Sequence, residues 1–309
     1  MNKLIAGLLT ATAMMAAVPA MAVDIIVVSH GQANDAFWSV VKAGVEHAAT
    51  QTGANVEYRS PETFDMVAMS QLIDAAVAQA PDGIVVSIPD ADALGPSIQA
   101  AVAAGIPVIS MNSGSDVSKT LGALLHVGQD EETAGRIAGE KLAEMGGTKA
   151  ICVNQEVGNV SLDLRCKGFA DGFGGSSTVL PTSNDPAEII AKVRAALESD
   201  PAIDTVMALG ASTAGEPVVE AVRQLGKAGG VVKIASFDLS AKFLEDIIAG
   251  DAAFAIDQQQ FLQGYLPVAF LSLNAEFGLI PGGNVPSGPN LITADKAAQV
   301  VELSAKGIR

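Results

Sequence analysis

Asp24-Ile25-Ile26-Val27-Val28-Ser29, followed by the polar run His30 to Ala36 and then by Phe37-Trp38, is the stretch on which the fold turns. Ile and Val in sequence, without polar alternation, read as a strand covered on both faces, as in a parallel sheet flanked by helices. The polar run is then a strand-to-helix loop, and Phe37-Trp38 opens a helix reaching about Gln51. Aromatic residues are 4% of the chain, and Trp38 is its single tryptophan. Such a pair at the carboxyl end of a strand forms a candidate stacking surface for a ligand.

The same unit recurs outward from this point. Strands are expected over 24–29, 55–59, 83–88, 107–111, 123–127, 149–154, 177–181, 205–209, 232–237 and 252–257. Helices are expected between them, over 36–51, 66–80, 93–104, 130–145, 161–173, 187–198, 213–226, 240–249 and 260–277. Met66, Met69, Leu72, Ile73 and Ala76 share one helical face, as do Ile189, Val193 and Leu197. Gly53, Gly105 and Gly146-Gly147 stand where helices end on a left-handed cap. About ten strand-helix units exceed one doubly wound sheet. The expectation is an α/β protein of two doubly wound parallel-sheet lobes. Ile280 to Pro289, rich in Gly and Pro, reads as irregular.

The N-terminus reads as an export signal. Asn2-Lys3 is a short positive start, Leu4 to Val18 is apolar, and Ala20-Met21-Ala22 is a small-x-small cleavage site. Cleavage after Ala22 leaves 287 of the 309 residues, and loss of Lys3 takes the formal net charge from −16 to −17. So acidic a chain lacks the basic footprint that nucleic acid or an anionic membrane requires. Export exposes Cys152, in an expected strand, and Cys166, in the following helix, to an oxidising compartment, where they form either a disulfide or two buried thiols. Metal binding is not expected, because no further ligands share their spacing.

Ligands of open parallel sheets bind beyond the carboxyl ends of the strands. The polar residues there include Ser29, His30, Asn34 and Asp35, then Asp90 and Asp92, Asn112-Ser113, Asn154 to Ser161 with Asp163 and Arg165, Gly210-Ala211-Ser212, Asp238 and Asp257-Gln258. Carboxylates accept, arginine donates and amides do both, a set suited to a molecule with several hydroxyl groups. Asp90 and Asp92 read better as a helix cap and a solvated acid, and His30 and His126 as structural or solvent-facing.

Over essentially the whole mature chain this arrangement resembles the periplasmic sugar-binding proteins of bacterial ABC importers, close to the ribose-, galactose- and inositol-binding group. Ser29 to Trp38 resembles their first loop, which makes Asp35 a polar sugar contact and Phe37 and Trp38 its stackers. Pro107 to Asn112 resembles the strand whose end meets the sugar. Arg165-Cys166-Lys167-Gly168-Phe169 resembles the Arg-x-x-Gly-Phe helix start, and Ser236-Phe237-Asp238 the strand ending in a binding acid. Gln258 falls where the family places an amide beside a hinge. Asn34, Ser113, Asp163, Asn184 and Gly210 complete the candidate ligand set. The resemblance implies lobes of 23–128 with 259–289 and of 129–258 with 290–309, joined by three hinge segments, in a monomer. Asn112-Ser113 departs from the Asp-Arg common in close relatives, Asn184 replaces a second-lobe aromatic, and Gly210 replaces an asparagine. These departures point to a sugar or polyol other than ribose.

The resemblance implies a solute-binding component that delivers a monosaccharide or sugar alcohol to an ABC permease, needing no cofactor or metal. Docking on a chemoreceptor or sensor kinase, or capture of a non-sugar polyhydroxylated molecule, are the alternatives. An enzyme is not expected: Gly-x-Ser-x-Gly, His-Glu-x-x-His and a phosphate-binding glycine loop are absent from the sequence.

Overall fold

The computed structural model describes residues 22–31 and 35–309. The export signal up to Met21 and the candidate Asn34 lie outside the described residues. The first sheet contains β1 (Asp24–Val28), β2 (Asn55–Arg59), β3 (Gly83–Ser87), β4 (Val108–Asn112), β5 (His126–Gly128) and β11 (Val285–Pro286), in spatial order β11-β5-β4-β3-β1-β2. The second contains β6 (Lys149–Asn154), β7 (Ser176–Pro181), β8 (Thr205–Ala208), β9 (Lys233–Phe237), β10 (Phe254–Asp257) and β12 (Asn290–Ile292), in order β12-β10-β9-β8-β6-β7. Both sheets thus have one topology, with the order reversing at β1/β3 and at β6/β8. Pairing is parallel throughout except where β12 joins β10.

Uniformly apolar strands need helices on both faces, and each lobe supplies them. In β1, Ile25 and Val27 pack with Val41 and Val45 of α1 (Ala36–Thr52) and with Val268 and Leu271 of α9 (Gln260–Phe277). Ile26 and Val28 point the other way, to Met69 and Ile73 of α2 (Met66–Ala78) and Leu94 and Ile98 of α3 (Ala91–Ala103). On the second sheet, α4 (Glu131–Glu144) and α5 (Val160–Phe173) cover one face. The opposite face carries α6 (Pro186–Ser199), α7 (Glu216–Gln224), α8 (Ala241–Ala249) and α10 (Ala294–Ala305).

Glycines let the paired helices touch backbone to backbone. A Cβ on Gly44 of α1 would lie 2.1 Å from the Phe261 carbonyl oxygen, and one on Gly264 of α9 would lie 2.0 Å from that of Val41. In α4 a Cβ on Gly135 would lie 2.2 Å from the Arg165 carbonyl oxygen, and one on Gly139 would lie 2.3 Å from that of Phe169. These separations are below any real Cβ contact, so no larger residue fits without moving a helix.

The expected strands and helices occur within a few residues of their anticipated limits. Three differences stand out. The helix expected from 213 begins as a π-helical turn at Ala211–Gly215 that runs on into α7. The irregular stretch 280–289 contains β11, and β12 and α10 follow it unforeseen. A two-residue strand carries no periodicity, and α10 opens at Thr293 without a side-chain cap. The chain passes between the sheets after β5, after β10 and between β11 and β12. These passages lie side by side: Ser287 N–H donates to the Gly128 carbonyl at 2.8 Å, and Gln259 Nε2 to the Ser287 carbonyl at 2.7 Å. Cys152 of β6 and Cys166 of α5 form a disulfide with Cα atoms 5.8 Å apart.

Candidate functional site

The loops at the carboxyl ends of the two sheets meet around one cleft. His30, Asp35, Phe37, Trp38, Asn112 and Ser113 line it from the first lobe. Gln155, Glu156, Asn159, Leu162, Arg165, the run Leu209 to Thr213, Asp238 and Leu239 line it from the second, with Gln258 at the crossover. Both topological switch points therefore open onto one space.

On the first wall, Asp35 caps α1 by accepting the Phe37 N–H at 2.8 Å. Burial raises its carboxyl to about 6, against the backbone bonds that favour the charge, and Glu156 raises it further. The Trp38 ring lies on the backbone of Gly31, where a Cβ would come within 1.9 Å of the indole. Phe37 meets it edge-on at 5.2 Å and His30 at 4.8 Å. Phe37 and Trp38 are 8% and 5% exposed and belong to the first lobe's core, so they serve as both core and cavity wall. His30, also buried, pairs Nδ1 with the Ser87 hydroxyl at 2.8 Å, and burial lowers its pKa to about 4, so it is neutral. It lines the cavity as well as bracing β3, beyond the structural role expected of it.

Asn112 and Asp238 occupy equivalent ends of β4 and β9, and both have left-handed backbone, φ 61° and 68°. Asn and Asp tolerate that region best among residues with a Cβ. Asn112 Nδ2 donates to Gln263 Oε1 at 3.2 Å and to Gln258 Oε1 at 3.4 Å, while the Ser113 hydroxyl donates to Asn112 Oδ1. Gln258 Nε2 in turn donates to Asp238 Oδ1 at 2.5 Å. One chain of amides thus runs from the first wall through the crossover to the second. Asp238 is pushed up to about 7 by burial, with Arg165 and the Gln258 bond opposing that rise.

Arg165 is 3% exposed and held in a fork: Nε and Nη2 donate to the two Glu131 oxygens at 2.6 and 2.9 Å. Its Nη1 donates to the Leu209 carbonyl at 3.1 Å, and the guanidinium lies 4.4 Å from the Phe237 ring centre. Glu131 cancels this charge at short range. Asp35, Glu156 and Asp238 remain as cavity carboxylates with no salt-bridge partner among the described residues. Gln155 adds an acceptor, since its buried Oε1 has no hydrogen-bond partner among the described residues. Gly210 contributes backbone only: a Cβ there would lie 2.5 Å from Thr213 Oγ1 and 3.1 Å from Gln155 Nε2.

Two candidates are not brought into this cavity. Asp163 is exposed on α5, where its Oδ1 accepts from Asn154 Nδ2 at 2.9 Å, because its helical position turns it away from Arg165. Asn184 stands farther out at the mouth, its Nδ2 3.5 Å from Glu156 Oε1. Asp90 caps α3, and Asp257 is taken by the Gln259 N–H and by Arg309. Gln155, Glu156 and Asn159 lay within the polar run after β6, but nothing local singled them out. Glu131 gave no signal beyond that of an ordinary helix-start acid.

A family model described as a periplasmic binding protein domain matches residues 25–277. The chain is 36% identical to a carbohydrate transporter protein of Acidothermus cellulolyticus 11B whose crystal structure is a complex with myo-inositol; the match covers 93% of this chain and 100% of that one, with TM-score 0.88. It is 25% identical over 286 residues to the xylose/arabinose-binding protein of Sulfolobus acidocaldarius, covering 87% of this chain and 70% of that protein. A periplasmic sugar-binding protein from Legionella pneumophila, 24% identical over 86% of this chain and 99% of its own, shares the fold at TM-score 0.79. With two six-stranded parallel-sheet lobes around one polar cavity, and a domain match spanning both sheets, the chain belongs to the periplasmic binding protein family.

Proposed function

We propose that this protein is the solute-binding component of an ABC importer and captures an uncharged monosaccharide or cyclic or open-chain polyol in the cleft. One observation carries this: carboxylates and amides of both lobes, a guanidinium of the second and an aromatic wall of the first line a single cavity. The excess of acceptors suits a ligand rich in O–H donors. A hydrogen bond to a charged partner is worth roughly 1.5–3 kcal/mol net, so four such bonds and one stacked face give micromolar binding or better. The myo-inositol found in the Acidothermus relative makes cyclic polyols the first ligands to try.

Asp35, Asn112 and Trp38 hold the ligand from one side, and Asp238, Glu156 and Arg165 from the other. Only the closed arrangement makes both sets of contacts, so ligand shifts the lobes toward closure. The closed monomer is what the permease recognises, and the ligand is released unaltered. Export by the N-terminal signal, with cleavage after Ala22, delivers the protein to the periplasm; the intact mass of the exported protein tests the site.

The test is a thermal-shift screen of pentoses, hexoses, inositols and alditols, followed by calorimetry on the hits. Binding of an uncharged polyol, with tenfold or greater loss in Asp238→Ala and in Trp38→Ala, is expected. Unchanged affinity in both variants refutes the cleft assignment. Uronates and sugar phosphates are expected not to bind, because three cavity carboxylates repel an anion. Ribose as the tightest ligand would refute the reading of the Asn112-Ser113 departure.

A further inference from the structure

The disulfide Cys152–Cys166 closes a loop with a sequence separation of 14. Five of the cavity-lining residues fall inside it: Gln155, Glu156, Asn159, Leu162 and Arg165. The bond joins β6 just before the segment leaves the sheet to α5 just after Arg165. Little else apolar anchors the segment. Val157 is 64% exposed, Val160 is 45% exposed, and Leu162 is its buried apolar anchor between Gln155 and Arg165. Its other ties are polar: Glu156 N–H to Asn154 Oδ1 at 3.0 Å, Asn159 Nδ2 to Glu156 Oε2 at 2.9 Å, Val160 N–H to the Pro89 carbonyl at 3.0 Å and, at the far end, the bonds of Arg165 to Glu131 and Leu209.

We propose that Cys152 and Cys166 are positioning residues for ligand capture, their bond presetting the Glu156 carboxylate and the Gln155 and Asn159 amides of the second wall before the ligand arrives. The proposal rests on the cleft being the ligand site. A preset segment spends less of the binding free energy on ordering, so its removal weakens binding as well as stability. A disulfide serving stability alone would lower the melting temperature and leave affinity untouched.

The experiment compares four full-length mature proteins by calorimetry and stopped-flow dissociation with the best-binding polyol of the screen. They are the wild type, Cys152→Ala/Cys166→Ala, the volume-restoring Cys152→Ala/Cys166→Val, and Leu142→Ala. Leu142 is buried in the same core cluster but does not line the cavity, so it controls for lost stability. The expected result is a fivefold or greater loss of affinity with faster dissociation in whichever double variants fold, while Leu142→Ala melts lower and binds as wild type. Wild-type affinity in a folded double variant overturns the proposal. A wild type that binds no member of the panel overturns the function reading beneath it, which is a separate failure.

Discussion

Asp238 combines a left-handed backbone, a bond from Gln258 and a cavity shared with two further carboxylates. Its titration has consequences that partly cancel. Asp238 and Asp35, raised by burial to about 7 and about 6 from an ordinary 3.8, keep protons in the folded chain that the unfolded chain has lost. Stability from these two therefore falls as pH rises from about 4 toward 7. His30 and His126, lowered by burial to about 4 from 6.5, do the reverse, and stability from them rises over about pH 4 to 6.5. The pairs nearly offset each other up to about pH 6.5, above which the proton held by Asp238 leaves a small net fall. Asp238→Asn should expose the histidine slope: ligand-free melting temperature should climb from about pH 4 to 6.5 and exceed wild type above pH 7, while affinity falls at least tenfold. Ligand hydroxyls that donate to Asp238 favour its charged form, so binding near pH 6.5 should release protons, read by calorimetry in buffers of different ionisation enthalpy.

At the scale of elements, the α4–α5 contact has a specific fragility. Gly135 faces the carbonyl of Arg165 itself, whereas Gly139 faces that of Phe169, one turn farther from the cavity. Each substituted by Ala should cost about 1–3 kcal/mol, because the helices must separate. Gly135→Ala should in addition weaken ligand binding severalfold by moving Arg165, and Gly139→Ala should leave affinity near wild type. Denaturant unfolding with calorimetry separates the two. Most elements were legible because β-branched runs and helical apolar spacing carry their own period, as in Ile25 to Val28 and in Ile189, Val193 and Leu197. β11 and β12 were not, because strands of two and three residues exist only by pairing with β5 and β10. The π-helical turn at Ala211–Gly215 has no separate sequence period either, yet it sets Ala211, Ser212 and Thr213 on the cavity wall.

For the whole molecule, one direct contact between the lobes is informative. The Val160 N–H, at the first position of α5, donates to the carbonyl of Pro89 after β3 at 3.0 Å. A helix does not use its first N–H internally, and proline is at home there. Asn159 before it is already extended, φ −85° and ψ 106°, as a residue preceding proline must be. Val160→Pro should therefore delete this bond alone, costing about 0.5–1.5 kcal/mol of the closed form. Affinity should drop about two- to tenfold with an almost unchanged melting temperature, and scattering without ligand should show a more open molecule. Ligand should compact the wild type, and superimposable curves with and without a bound polyol would exclude capture by closure.

Apolar runs and their spacing were enough to give the parallel sheets, the flanking helices and the strand ends at which polar residues collect. These follow from local period and from the burial that period demands. The tertiary structure alone decided which polar residues share the cavity. It turned Asp163 outward, left Asn184 at the mouth, brought Gln155 and Glu156 in, and gave Arg165 a partner in Glu131 from the neighbouring helix. A side chain's direction and its long-range partner depend on how helices rest on a sheet and on each other, and no short stretch of sequence contains that geometry.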